Sequence, residues 1–175
     1  MECNNNCASC QSECGKKCPI CGSSALGVLS ATVLNLAKTP IKPDHQFYIC
    51  LNPRCKTVYF DEEEDQIIVQ DDVKVPIWFK STFMNYMICY CRQIYLKDVI
   101  KAVFSMDEEP TIENIVKYLG KEDIETNCLI NNPISRDCDL LFKNAIEYAV
   151  DLKNKEENKD VKWYWNCTKR ESVTN

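Results

Sequence analysis

"FYICLNPRCKTVYF" (residues 47–60) decides the fold. Two runs rich in aromatic and β-branched residues flank Cys50 and Cys55, so the stretch reads as two strands joined by a thiol-bearing loop. Upstream, "CPICG" (18–22) offers a second pair with the two-residue spacing of a metal knuckle, whose turn amides stabilise thiolates. Cys18, Cys21, Cys50 and Cys55 together make a tetrahedral all-thiolate site suited to structural zinc, with mononuclear iron as the rival. A module of about fifty residues in short strands buries too little apolar surface to stand alone, and metal binding supplies folding free energy. Four thiolates close the coordination sphere and leave no position for substrate.

Outward from this core, "LGVLSATVLNL" (26–36), "HQFYIC" (45–50), "KTVYF" (56–60) and "QIIVQ" (66–70) all read as strands. "DEEED" (61–65) reads as the solvated loop of a hairpin, since it lacks the spacing and glycine of a calcium loop. His45 reads as a partly exposed strand histidine, because the thiolates already saturate the zinc site.

The wider composition limits the choices. The chain has 175 residues, thirteen cysteines, one histidine and a net charge of −5. An acidic surface argues against nucleic acid as a partner. No apolar run is long enough to insert in a membrane, and the N-terminus lacks the basic and apolar regions of a secretory signal, so a cytoplasmic location is expected. In that compartment thiols are kept reduced and read as metal ligands. With so little histidine, the metals favoured are zinc, iron–sulfur clusters and Cu(I). No activated nucleophile, histidine–carboxylate pair or glycine-rich phosphate loop is evident, so no enzyme activity is expected.

Residues 94–150 have a different texture. Leu96, Val99, Ile100, Val103 and Phe104 recur at helical spacing. Thr111 is a fitting N-cap for a second helix that Gly120 can close, and a third helix should begin near Asp139. "DDVKVPIWFKST" (71–82) has neither period and marks a module boundary. The expected fold class is therefore α+β: a small zinc-stapled β-rich module followed by a small helical module. The expected domains are a Cys-rich extension at 1–17, the zinc module at 18–75, the helical module at 76–152 and a charged tail at 153–175.

The helical module carries its own thiols. "ICYC" (88–91) places Cys89 and Cys91 one residue apart, a poor zinc knuckle but a fitting pair for one iron of a binuclear cluster. "CLINNPISRDC" (128–138) supplies Cys128 and Cys138 for the other iron. Thiolates beside helix ends gain from the end dipoles, and four of them suit a [2Fe-2S] cluster. A zinc staple on the same four thiols is the alternative. With the two sites in separate modules, loss of zinc from the first is expected to leave the second standing.

Residues from about Cys18 to Val150 resemble the N-terminal module of CopZ-type copper chaperones. The matching stretches are "CPICG", "TVLNL", "FYICLNPRCKTVYF", "ICYC" and "CLINNPISRDC", in that order. The resemblance implies zinc at Cys18, Cys21, Cys50 and Cys55 and a [2Fe-2S] cluster at Cys89, Cys91, Cys128 and Cys138. The second module is also similar to bacterioferritin-associated ferredoxin-like domains, although those close their site with a tight Cys-x2-Cys pair. Where the relatives usually cap the helix after Cys-x-Cys with threonine, this chain has Tyr95. The function implied is a copper chaperone that binds copper, with reduction of Cu(II) by the cluster, and passes it to an exporter such as a copper-transporting P-type ATPase. The competing readings are a ferredoxin-like electron carrier serving a redox partner, and an iron–sulfur or redox sensor.

Four thiols remain at the start. Cys3, Cys7, Cys10 and Cys14 follow a C-x3-C-x2-C-x3-C spacing that would share one helix face. Soft thiolates without histidine suit Cu(I), and these four are the candidate copper-transfer site, against the alternative of an unanchored thiol-rich leader. The first three echo the triplet that holds a [4Fe-4S] cluster in radical enzymes, but no barrel follows. In the tail, Trp163, Tyr164 and Trp165 are expected to pack on the core, and Cys167 stands alone.

Overall fold

The structure, a computed structural model, describes residues 16–63 and 65–157. The expectations for Cys3, Cys7, Cys10, Cys14, Cys167 and residues 163–165 lie outside the described residues.

Four antiparallel strands form a meander, β1 (Ala25–Val28), β2 (Phe47–Cys50), β3 (Thr57–Asp61) and β4 (Ile67–Val69), in the order β1-β2-β3-β4. The two-residue period of a strand gives the sheet two unlike faces. Phe47 and Ile49 of β2 point into one apolar cluster with Val33, Val58, Tyr59 and Ile68. Tyr48 and Cys50 point the other way, towards Phe60, Ala25, Cys18 and Cys55. A register shift between Thr57 and Tyr59 lets consecutive Val58 and Tyr59 serve the same cluster.

"LGVLSATVLNL" is not one strand. β1 ends at Val28, and Ser30–Leu36 forms helix α1 with Thr32, Val33 and Leu36 buried. The β-branched residues favoured a strand locally, but packing against the sheet decides otherwise.

Three helices of the second half fall where the periodicity predicts them, and a short hairpin and a four-residue helix are additions to that reading. After β5 (Met87–Cys89) and β6 (Ile94–Tyr95) come α2 (Leu96–Ser105), α3 (Ile112–Tyr118), the short α4 (Cys128–Asn131) and α5 (Asp139–Glu157). Val99, Ala102, Ile115, Phe142, Ala145 and Ala149 form their shared core. Each fully buried side chain of valine, isoleucine or phenylalanine size there contributes about 1.5–3 kcal/mol.

The helix ends are chemically explicit. Thr111 Oγ1 accepts from Asn114 N at 3.1 Å. Gly120, at φ 63°, closes α3 by donating to Lys117 O while Lys121 N donates to Val116 O. At α2, Tyr95 takes the place of a capping hydroxyl, and Asp98 reaches back to accept from Tyr95 N at 2.9 Å. The molecule is an α+β protein. No described helix is long and apolar enough to cross a membrane.

Candidate metal centres

The first centre sits at one end of the sheet. Sulfur atoms of Cys18, Cys21, Cys50 and Cys55 all lie within 4.8 Å of one another, with Cys21 Sγ 3.6 Å from Cys50 Sγ. Tetrahedral zinc with bonds near 2.3 Å requires sulfurs about 3.8 Å apart, so this donor set fits the ion. The geometry follows from short-range order. Gly22, at φ 70°, turns the first knuckle and donates to Cys18 O, and Cys18 N donates to Ser23 O. Pairing of Ala25 with Cys50 brings the second knuckle alongside.

Asn52 ties the two knuckles together. Its Oδ1 accepts from Arg54 N and its amide donates to Ser23 Oγ. Lys80 then closes the second loop, donating to Asn52 O at 2.5 Å and Cys55 O at 3.1 Å. Hydrogen bonds from the Ser23 side chain and backbone lower the exposed Cys21 thiol to about 6, favouring its thiolate. Burial pushes Cys50 up to about 12.

The second centre gathers thiols from two distant segments. Cys91 Sγ lies 4.0 Å from Cys128 Sγ. Hydrogen bonding from the Cys138 thiol, with help from Arg92, lowers Cys89 to about 6 against the opposing effect of burial. Its partner Cys138 is raised, because it donates to Cys89 and is buried. Cys128 is also raised, by burial first and by the neighbouring Cys91. The four sulfurs thus form a connected group in a pocket of mixed exposure, a donor set that fits a thiolate-held metal group. Contacts run across the two segments, Cys91 to Cys128 and Cys89 to Cys138, and also within the second, Cys128 to Cys138.

Local structure explains their placement. Cys89 ends β5, Cys128 opens α4 and Cys138 immediately precedes α5, where its carbonyl accepts from Phe142 N at 2.8 Å. The turn after Cys91 passes through Gln93 at φ 50°, and Lys121 holds it by donating to Arg92 O and Gln93 O. Asn131 Nδ2 donates to Cys91 Sγ at 3.5 Å, a contact that no periodicity or cysteine spacing in the chain signals.

His45 belongs to neither centre. It lies in the turn before β2 rather than on a strand, and its Nδ1 is 2.6 Å from Oδ2 of the fully buried Asp61. Asp61 is therefore a structural residue at the end of β3, not part of a solvated loop. The bond to Asp61 raises His45 above the usual histidine value. Burial tends to raise Asp61, but hydrogen bonding with Asp65, His45 and the Gln66 amide outweighs it and holds Asp61 at about 2. His45, Asp61 and Asp65 carry donor atoms within 4.8 Å of one another. Lys42 pairs with Asp65 and Gln66 N donates to Asp61, so the group is read as a satisfied ion-pair network.

Fold and donors together define a thiolate-rich α+β protein with a zinc-knuckle sheet at one end. Residues 15–74 match the zf_CopZ family, described as a zinc binding domain, and the CopZ-type resemblance of the sequence stands. The chain is 28% identical over 126 residues to the copper chaperone CopZ of Archaeoglobus fulgidus, a match covering 70% of this chain and 57% of that one. It thus spans little more than half of that relative. The X-ray structure of the A. fulgidus CopZ N-terminal domain superposes with a TM-score of 0.57 at 24% identity, covering 74% of this chain and 96% of that domain.

Proposed function

We propose that the chain is a metal-binding protein of the copper-chaperone type, with structural zinc at Cys18, Cys21, Cys50 and Cys55. In this reading Cys89, Cys91, Cys128 and Cys138 hold a [2Fe-2S] cluster, and copper is the cargo. The observation that carries it is the second connected group of four thiols, separate from a complete zinc-type site, in a chain similar to a copper chaperone. Four thiolates already satisfy one zinc, so the second group is free for a different metal chemistry.

A [2Fe-2S] group, once reduced by an external electron donor, would return to its oxidised form by giving up one electron, which is what conversion of Cu(II) to Cu(I) requires. The protein's own part is to donate hydrogen bonds to the sulfurs, from Arg92 to Cys89 and from Asn131 to Cys91, and to keep Cys89 and Cys138 buried. Cu(I) is placed at Cys3, Cys7, Cys10 and Cys14, whose soft donors suit it, for delivery to a membrane exporter.

Metal analysis of anaerobically purified protein tests the reading: about two irons, two sulfides and one zinc per chain are expected, with red-brown colour. Two zincs and no iron would remove the cluster. Replacing Cys3, Cys7, Cys10 and Cys14 by serine should abolish tight Cu(I) binding against a chelator. Unchanged Cu(I) affinity would leave a ferredoxin-like electron carrier as the better description.

A further inference from the structure

The segment that carries Cys128 and Cys138 is anchored by the other module. Leu29 N donates to Ser135 Oγ at 2.9 Å. Ser135 and Thr32 hydroxyls are 2.7 Å apart, and Thr32 Oγ1 donates to Leu129 O at 2.5 Å. Thr32, on α1, is fully buried, and Ser135 is held at φ 55°, a left-handed conformation that a non-glycine residue adopts only when its surroundings enforce it. Asn35, one turn further along α1, donates to Asn131 Oδ1 at 3.0 Å. With its oxygen so engaged, the Asn131 amide presents Nδ2 to Cys91 Sγ. A line of hydrogen bonds therefore runs from the helix of the zinc module to a sulfur of the second centre.

We infer that Thr32 and Asn35 are positioning residues which aim the Asn131 amide at Cys91, so that the zinc module sets the electron affinity of the second centre. The inference rests on the reading of that centre as a thiolate-held metal group. An N–H donated to a metal-bound sulfur stabilises the more negative state, and hydrogen bonds to sulfur are among the terms that set iron–sulfur potentials. The alternative is a purely structural clamp, which would affect stability and leave the electron affinity unchanged.

The test compares the unaltered protein with Asn131→Leu, Thr32→Val, Thr32→Ser and Asn35→Ala. Asn131→Leu keeps the side-chain shape and removes the donor. It should shift the one-electron reduction equilibrium towards the oxidised form by about five- to tenfold, tenfold being 59 mV, at unchanged iron and sulfide content. Thr32→Val should shift it in the same direction with zinc content unchanged, and Thr32→Ser should restore it. Asn35→Ala, at an exposed position, gives a smaller shift and serves if Thr32→Val fails to fold. Unaltered potentials in both Asn131→Leu and Asn35→Ala overturn the inference, as does a Thr32→Val shift that Thr32→Ser does not reverse. If the unaltered protein contains two zincs and no iron, the cluster reading fails separately. The positioning role is then read from chelator competition, where Asn131→Leu and Asn35→Ala should weaken retention of the second zinc by about threefold or more. Equal retention overturns it.

Discussion

The two thiol centres are built by opposite means. In the first, cysteines come as knuckles three and five positions apart, and one strand pairing, Ala25 with Cys50, brings them together. In the second, Cys89 and Cys91 meet Cys128 and Cys138 across an intervening pair of helices, and the Cys128–Cys138 segment is held by Thr32, Asn35 and Tyr59 of the other module. A local site can be organised by its own turns. A site assembled from distant segments borrows its order from whatever packs against them.

The largest expected effect tests that dependence. Cys18→Ser or Cys55→Ser should lose the zinc and unfold the sheet, since binding of structural zinc supplies on the order of 10 kcal/mol of folding free energy. Independent modules would leave the second centre intact. The cross-module hydrogen bonds reverse that expectation: metal at the second centre should fall along with zinc at the first, measured by metal analysis beside circular dichroism. Full metal retention at the second centre of a variant that has lost the first centre's zinc would show the centres to be independent after all.

Next in size is a change inside the helical core. Phe142→Ala removes a buried ring on the first turn of α5, just after Cys138, and should cost about 3–5 kcal/mol in urea denaturation. Metal at the second centre should become easier to remove while zinc at the first stays. Equal loosening of both would argue against separate cores.

A smaller effect is expected at the clamp. Tyr59→Phe deletes the buried bond from Tyr59 OH to Pro133 O, 3.0 Å long, and leaves a carbonyl without its partner. A loss of about 1–3 kcal/mol should follow, with metal released from the second centre faster than zinc from the first on chelation. Zinc released first would place the weak point in the sheet instead.

The mildest prediction concerns pH. Asp61 titrates at about 2 in the folded protein, below the usual carboxylate value of about 3.9, so its contribution to stability is present above pH ~4 and is lost as pH falls towards 2. His45 is raised by Asp61, so its contribution is complete below the unfolded value of about 6.5 and disappears as pH rises through its folded value. The pair therefore helps most between about pH 4 and 6.5. The stability difference between the unaltered protein and His45→Gln should peak in that window and shrink on the alkaline side. A difference that is flat across pH would remove the ion pair from the account.

Much of this architecture was legible because its signals are short-range. The spacing of Cys18–Cys21 and Cys50–Cys55, the strand texture around Phe47–Phe60, Thr111 as a cap and Gly120 as a terminator each depend on neighbours within a few residues. The helix at Ser30–Leu36 was not legible, since "SATVLNL" carries β-branched residues that favour a strand. Burial of Thr32, Val33 and Leu36 against the sheet overrides that preference. His45 and Asp61 likewise read apart in sequence, as a strand and a solvated loop, because the β2–β3 register that joins them lies outside any local window.

The sequence by itself determined the α+β class, the knuckle geometry and the helical periods, because turns, caps and alternation are settled by adjacent residues. Only the tertiary structure decided that α1 would be a helix, that it would grip the segment from Cys128 to Cys138, and that Asn131 would face Cys91. Those outcomes depend on contacts between residues 29–35 and 129–135, about a hundred positions away, whose free energy arises only once both modules are packed.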